Sequence, residues 1–374
     1  MIPNDILIVG GGIVGQITAI KLANAGAKVT VVDAGINAGS TANAGSLHVQ
    51  MQSRFMRIYP DQVPNIEASL PLYLRAVEEW ERIDAKYGPV EMIRKGGLML
   101  AEDQKQLSFL EKKAKREAKK GVSVEILDRH ALEQIAPWLG PHIIGAELCL
   151  NEGKVNPLVA NRRLRAVADG LGVQFLQDRI QNLTVGKRVE AIGQTDTYQA
   201  DRAVIAAAWG TGALVGNFGV TIPSVGEPLH MNITEACSAR IDHLVQHAER
   251  SITLKQFKSG QIVIGGGWSA NDRGLSQVPT VDPLSLLGNV SLAAQLVPTI
   301  GNLRIIRTWA GMNTTMDGAS VIGPLPASDR LVMAVPGDAG YTLGPLVARL
   351  AANCLLGKAD HSVIERYSPA RFAN

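Results

Sequence analysis

DILIVGGGIVG (residues 5–15), then QITAIKLANAG (16–26) and KVTVVD (28–33), is the stretch that decides the fold. Asp5–Val9 reads as a buried parallel strand. Gly10, Gly12 and Gly15 then space a G-x-G-x-x-G turn, and Gln16–Ala25 places Ile17, Ile20, Leu22 and Ala23 at helical intervals before Gly26 caps the helix. Lys28–Val32 reads as a second strand closed by Asp33. One βαβ unit in about thirty residues is the context that gives such a turn meaning. Gly10 permits the tight turn, Gly12 admits a pyrophosphate to the backbone, and Gly15 lets the helix pack on the sheet. Ile13 and Val14 begin the helix, whose free N–H groups and partial positive charge favour phosphates. Asp33, with Ala34 beside it, is placed to take ribose hydroxyls and disfavours a 2′-phosphate, so NADP is not expected. The turn alone does not separate FAD from NAD.

Working outward, 374 residues suit two interleaved domains. A net charge of +3 argues against a nucleic-acid partner. Cys149, Cys237 and Cys354 are far apart and form no CxxC pair, so no metal site is expected within the chain. No secretory leader and no apolar run of roughly 20 residues is seen, which predicts a cytoplasmic protein, with peripheral contact at the inner membrane face as the alternative. The basic run Glu111–Gly121 reads as a solvated helix face, or else as a docking patch for an acidic partner.

Further along, a long helix is predicted over Pro64–Lys86 with Leu70, Leu74, Val77 and Trp80 on one face, and a strand over Gly96–Ala101. Asn156-Pro157 opens a helix from Leu158 to Gly170. Strands follow at Val173–Leu176, Val189–Ile192 and Arg202–Ala207. Thr253–Phe257 and Gln261–Gly265 read as a hairpin, Leu331–Val335 as a strand, and Leu343–Leu356 as a closing helix. The strand–turn–helix alternation at both ends predicts an α/β fold in which a discontinuous nucleotide domain is joined to a mixed-sheet second domain.

Six segments in order resemble the D-amino acid oxidase-like superfamily of flavoproteins. They are the turn above; Ser40-Thr41-Ala42-Asn43-Ala44-Gly45-Ser46; Gly153-Lys154-Val155-Asn156-Pro157; Ala200-Asp201 through Ala207-Ala208-Trp209-Gly210; Trp309-Ala310-Gly311-Met312; and Gly337-Asp338-Ala339-Gly340-Tyr341-Thr342-Leu343. Ala208 stands where the superfamily usually has glycine. The resemblance implies a Rossmann-like FAD-binding domain of glutathione reductase type at 1–85, 150–220 and 310–374, and a mixed-sheet substrate domain at 86–149 and 221–309. It implies FAD contacts at the residues just named, with Leu47, and backbone N–H groups offered to the flavin by Thr342 and Leu343. The Asn43–His48 loop and the Gly340–Pro345 segment look most like β subunits of heteromeric opine oxidases, hydrogen cyanide synthase and D-hydroxyproline dehydrogenase. That likeness implies an α subunit, a small iron–sulfur subunit, and room for an FMN at an interface with a partner.

What the resemblance implies chemically is hydride removal from an amine-bearing carbon to flavin N5, then hydrolysis of the imine. Relatives that act on simple amino acids place an Arg just after the Trp309 element; here that position is Asn313. Arg307 is the candidate replacement, or a strand-end surface charge; Arg54 and Arg57 are further candidates. His48 follows the flavin loop. His230 and Glu235 lie on a segment that lines the substrate side, Glu235 as a ligand for a basic tail or as a structural carboxylate. Tyr341 is expected to reach flavin or substrate. Three readings stay open: the catalytic subunit of an opine or amino acid dehydrogenase, a stand-alone D-amino acid, glycine or sarcosine oxidase, and a non-catalytic, FAD-braced subunit.

Overall fold

The computed structural model describes residues 5–373. The chain divides into two compact units: one holds the chain through Thr41, Leu158–Glu227 and the chain from Asn313, the other Ala42–Pro157 and Pro228–Met312.

The first unit is built on a six-stranded sheet in the order Val321–Leu325, Ser328–Val335, Arg202–Ile205, Asp5–Val9, Lys28–Asp33 and Gln174–Gln177. All its neighbours are parallel except the first pair, an antiparallel hairpin. Parallel strands covered on both faces read as continuous apolar runs, and Ile6, Leu7, Ile8 and Val9 are all buried. The helices Ile13–Asn24 and Gly340–Leu355 pack on one another. A small antiparallel sheet of Ile180–Val185, Val189–Gly193 and Thr197–Ala200 completes the unit and shares its apolar core.

The second unit is built on an eight-stranded mixed sheet in the order Ile305–Thr315, Val225–Ala236, Gln261–Gly265, Thr253–Gln256, Leu244–His247, Gly97–Ala101, Gly145–Cys149 and Val124–Asp128. Leu244–His247 runs parallel to Gly97–Ala101; the other pairs whose registers are resolved are antiparallel. The long helix spans Val63–Tyr87 and packs on the helix Gln104–Ala118. Its inward face buries Leu70, Val77 and Trp80 completely or nearly so. Each such side chain contributes about 1.5–3 kcal/mol of transfer free energy. That packing carries residues 42–85 into the second unit, whereas their sequence suggests a place in the nucleotide domain. Leu127–Leu139 resolves into the end of a strand and a short helix, Arg129–Ile135, capped by the Asp128 carboxylate on Ala131 N.

The basic run departs further from expectation. Lys113 and Glu117 lie one helical turn apart with side chains fully buried, and Lys113 Nζ meets Glu117 at 2.9 Å and Glu147 at 2.8 Å. Only the other cations of that run form the solvated face. Among the described residues no helix is long and apolar enough to cross a membrane.

Candidate active site

In the first unit the glycine turn has the shape its spacing predicts. A Cβ on Gly15 would lie 1.9 Å from Gly10 O, so only glycine lets the helix start this close to the strand. The helix has neither a side-chain cap at Gly12 nor an acid in its first turn, which suits an approaching phosphate. Asp33 is half-buried; its Oδ2 accepts from Gly11 N at 2.6 Å and its Oδ1 from Gly35 N at 2.7 Å. A carboxylate has about four acceptor positions, so two remain for ribose hydroxyls. Ser40 Oγ accepts from Ile13 N at 2.9 Å, holding the following loop on the turn; Thr41 and Ala34 are exposed.

Two further segments join this cradle. Ala207, Ala208, Trp209 and Gly210 are half-buried, with Trp209 against Gly39. Ala208 keeps the left-handed backbone of the glycine it replaces, at φ 51°. Gly337 also has positive φ, and the closing helix begins at Gly340 with Thr342 and Leu343 buried. Leu343 N–H donates to Ala339 O at 3.0 Å, so it is spent inside the helix rather than offered to a ligand, contrary to expectation. The Tyr341 hydroxyl donates to Asn161 Oδ1 at 3.1 Å, and burial raises its pKa above the usual phenol range. These donors and the glycine turn fit FAD. Asn313, where the superfamily's Arg is expected, donates from Nδ2 to Glu227 Oε2 at 3.3 Å.

In the second unit the loop Asn43–Leu47 and the Gly153–Val155 turn, a hundred residues apart in sequence, are paired. Ser46 opposes Lys154 and Leu47 opposes Gly153 in an antiparallel bridge. A Cβ on Gly45 would lie 2.1 Å from Val155 O, at φ 79°. Asn43 Oδ1 accepts from Gly45 N, and Trp309 Nε1 donates to Ala42 O at 2.8 Å. Ala44 is half-buried and Gly311 buried.

Beneath this loop lies a set of buried charges that sequence reasoning missed. Glu152 is fully buried and accepts from Val49 N, Gln50 N, Gln50 Nε2 and Gln246 Nε2 at 2.8–3.1 Å. Burial pushes its carboxyl up to about 7 against those hydrogen bonds. Glu117 accepts from Met51 N at 2.5 Å. His48 Nδ1 stands 3.9 Å from Glu152 Oε1; burial, with Lys255 adding to it, lowers the imidazole to about 3, so it is neutral. Lys255 is fully buried, donates to Ser46 Oγ at 2.7 Å and Thr253 Oγ1 at 3.4 Å, and is lowered by burial to about 7. Lys154 donates to Ile241 O and Asp242 O. The only local signal was lysine inside strands that otherwise read as buried.

The remaining candidates are dispersed through the second unit. His230 is fully buried beside Asn232, neither ring nitrogen makes a hydrogen bond, and burial lowers its pKa. Glu235 is held by Arg304 through contacts of 2.6 and 3.0 Å. Arg307 is exposed and lies over the Trp309 ring at 5.9 Å. Arg54 lies against Gly267, and Arg57 donates to Ala248 O. Among the described residues no group of three or more His, Cys, Asp or Glu is arranged to hold a metal.

A fold of this kind with this glycine cradle defines a flavoprotein. Residues 5–354 match the family described as DAO, FAD dependent oxidoreductase, and the chain belongs to it. It is an FAD-dependent oxidoreductase. It is 26% identical over 368 residues to a glycine oxidase of Bacillus licheniformis, covering 94% of this chain and 93% of that one. It is 23% identical over 332 residues to a subunit of the opine oxidase of Agrobacterium tumefaciens (strain Ach5), covering 85% and 84%. The fold superposes on glycine oxidase from Geobacillus kaustophilus with a TM-score of 0.83 at 19% identity, over 97% of this chain and 98% of that one.

Proposed function

We propose that the chain is the amine-oxidising subunit of an opine dehydrogenase, acting on an N-substituted amino acid such as octopine or nopaline. FAD, when bound, supplies the two-electron acceptor. The substrate loses a hydride from the carbon beside its nitrogen and a proton from the nitrogen, and water splits the resulting imine into a keto acid and an amino acid. The first unit's glycine turn, Asp33 and Ser40 hold the dinucleotide, and the second unit's Asn43–Leu47 loop carries the flavin contacts.

One observation carries the substrate reading: Asn313 bonded to Glu227 occupies the position where the resemblance implies an Arg for a simple amino acid. A half-buried carboxylate there favours a basic tail, as octopine and nopaline have, over a second carboxylate. The similarity to the opine oxidase chain supports it too, and with it an α subunit and a small iron–sulfur subunit as the electron exit, in the cytoplasm or at the inner membrane face. The similarity to glycine oxidase favours a second reading, a stand-alone amino acid oxidase or dehydrogenase. An anaerobic titration of the FAD-loaded protein with octopine, nopaline, glycine, sarcosine, D-proline and D-hydroxyproline decides between them. Bleaching of the flavin by an opine alone is expected. Bleaching by glycine with fast reoxidation in air favours the second reading, and bleaching by none overturns both.

A further inference from the structure

We propose that Lys255, with Ser46 and Thr253, forms the binding site for the substrate's α-carboxylate, taking over the task of the arginine that Asn313 replaces. This rests on the reading of the chain as an amino-acid-type dehydrogenase.

The argument begins with a charge that nothing offsets. Lys255 has zero exposure. An ammonium taken out of water costs several kcal/mol unless a counter-charge or a full set of acceptors meets it. Its two hydrogen-bond partners are neutral hydroxyls, and among the described residues it makes no ion pair and no third hydrogen bond. The nearest charge acting on it is another cation, Lys154. Buried acids do occur in this unit, but each is committed: Glu117 and Glu147 to Lys113, and Glu152 to the backbone of residues 49 and 50. One N–H of Lys255 therefore lacks an acceptor, and a carboxylate would satisfy both charge and donor.

The placement is built rather than incidental. Leu254 faces the apolar core of the unit, so Thr253 and Lys255, two residues apart, share the opposite face of the strand. Ser46 is fixed by its pairing with Lys154, and its hydroxyl draws the ammonium to the loop that the sequence assigns to the flavin. Glu152 and Glu117 hold the backbone of residues 49–51 just beyond it. His48 sits within electrostatic reach as a neutral ring, so it does not compete for the anion.

Isothermal titration calorimetry of the FAD-loaded protein with 2-furoate and with its neutral amide, 2-furamide, tests this. Wild-type protein is expected to bind furoate. Lys255→Met should weaken furoate by about 100-fold, the worth of a hydrogen bond between charged groups, and change furamide by less than about threefold. If Lys255→Met does not fold, the wild-type protein supplies the test. Its affinity for furoate should fall about tenfold per pH unit above about 7 as Lys255 loses its proton, with furamide unchanged. The groups around it are His48, neutral throughout that range, Lys154 at about 8, and Glu152 at about 7. Lys255→Arg, which stays charged, should abolish the pH dependence if Lys255 and not these neighbours causes it. No furoate binding by wild-type protein, equal binding by Lys255→Met, or an unchanged pH dependence in Lys255→Arg overturns the proposal. Bleaching by amines bears only on the function: its loss with furoate binding intact sinks the catalytic reading and leaves the anion site standing.

Discussion

The Tyr341 hydroxyl donates to Asn161 Oδ1, and the same amide donates from Nδ2 to Ser40 O at 2.9 Å. A side chain expected to touch flavin or substrate thus steadies the loop that closes the glycine turn. Tyr341→Phe should weaken FAD binding about three- to tenfold, the worth of one partly buried hydrogen bond, and leave the pH profile of turnover unchanged. Fluorescence titration of the apoprotein with FAD gives the first number. A change in the profile's pKa values would return Tyr341 to the chemistry.

Ala208 holds φ 51° without the freedom of glycine. The left-handed conformation costs a residue with Cβ about 1–2 kcal/mol, part of which glycine returns through its looser unfolded chain. Ala208→Gly should stabilise the protein by about 0.5–1 kcal/mol in urea denaturation. A loss of stability would contradict the strain.

The Lys113–Glu117–Glu147 cluster has one cation and two carboxyls, all buried. Burial raises Glu147, aided by Glu117 and opposed by Lys113, so Glu147 keeps its proton at neutral pH and Lys113 pairs with Glu117. Glu147→Gln should then cost no more than about 1 kcal/mol, while Lys113→Met strands the Glu117 charge and costs about 3–5 kcal/mol. Equal losses in the two variants, read from denaturant midpoints, would refute this proton assignment.

Lys255 also makes stability depend on pH. Its folded pKa of about 7 lies below the ordinary 10.5, so the stability it allows is whole above 10.5 and is lost as pH falls toward 7. Lys255→Met removes that loss. The variant's melting temperature should exceed wild type most at or below pH 7 and converge with it near pH 10. A constant difference across this range would mean that the lysine titrates normally.

The nucleotide half was legible because its determinants are local: strand, glycine turn, helix and Asp33 fall within about thirty residues, and each follows from backbone geometry. The long helix was legible from the spacing of Leu70, Val77 and Trp80. The two segments that meet at Gly45 and Val155 could be named by resemblance but not paired by any local rule. The buried charges were invisible for a physical reason. Composition assigns Lys and Glu to solvent, and what keeps Lys113 and Lys255 inside comes from Glu147 and Ser46, 34 and 209 residues away. Glu235 looked available because nothing in its own segment marks Arg304 as its partner, 69 residues on. Residues 42–85 were misassigned because only tertiary packing draws them to the second sheet.

Asp5–Val9 sits inside its sheet, between Lys28–Asp33 and Arg202–Ile205. During synthesis one neighbour follows at once, but the other leaves the ribosome nearly two hundred residues later, about 10–40 s at ~5–20 residues per second. Through that interval the most apolar strand of the nucleotide domain is an open edge. A nascent chain halted short of residue 205 therefore exposes a ready template for pairing with another chain, and production of this flavoprotein depends on how well the cell shields that edge until the sheet can close around it.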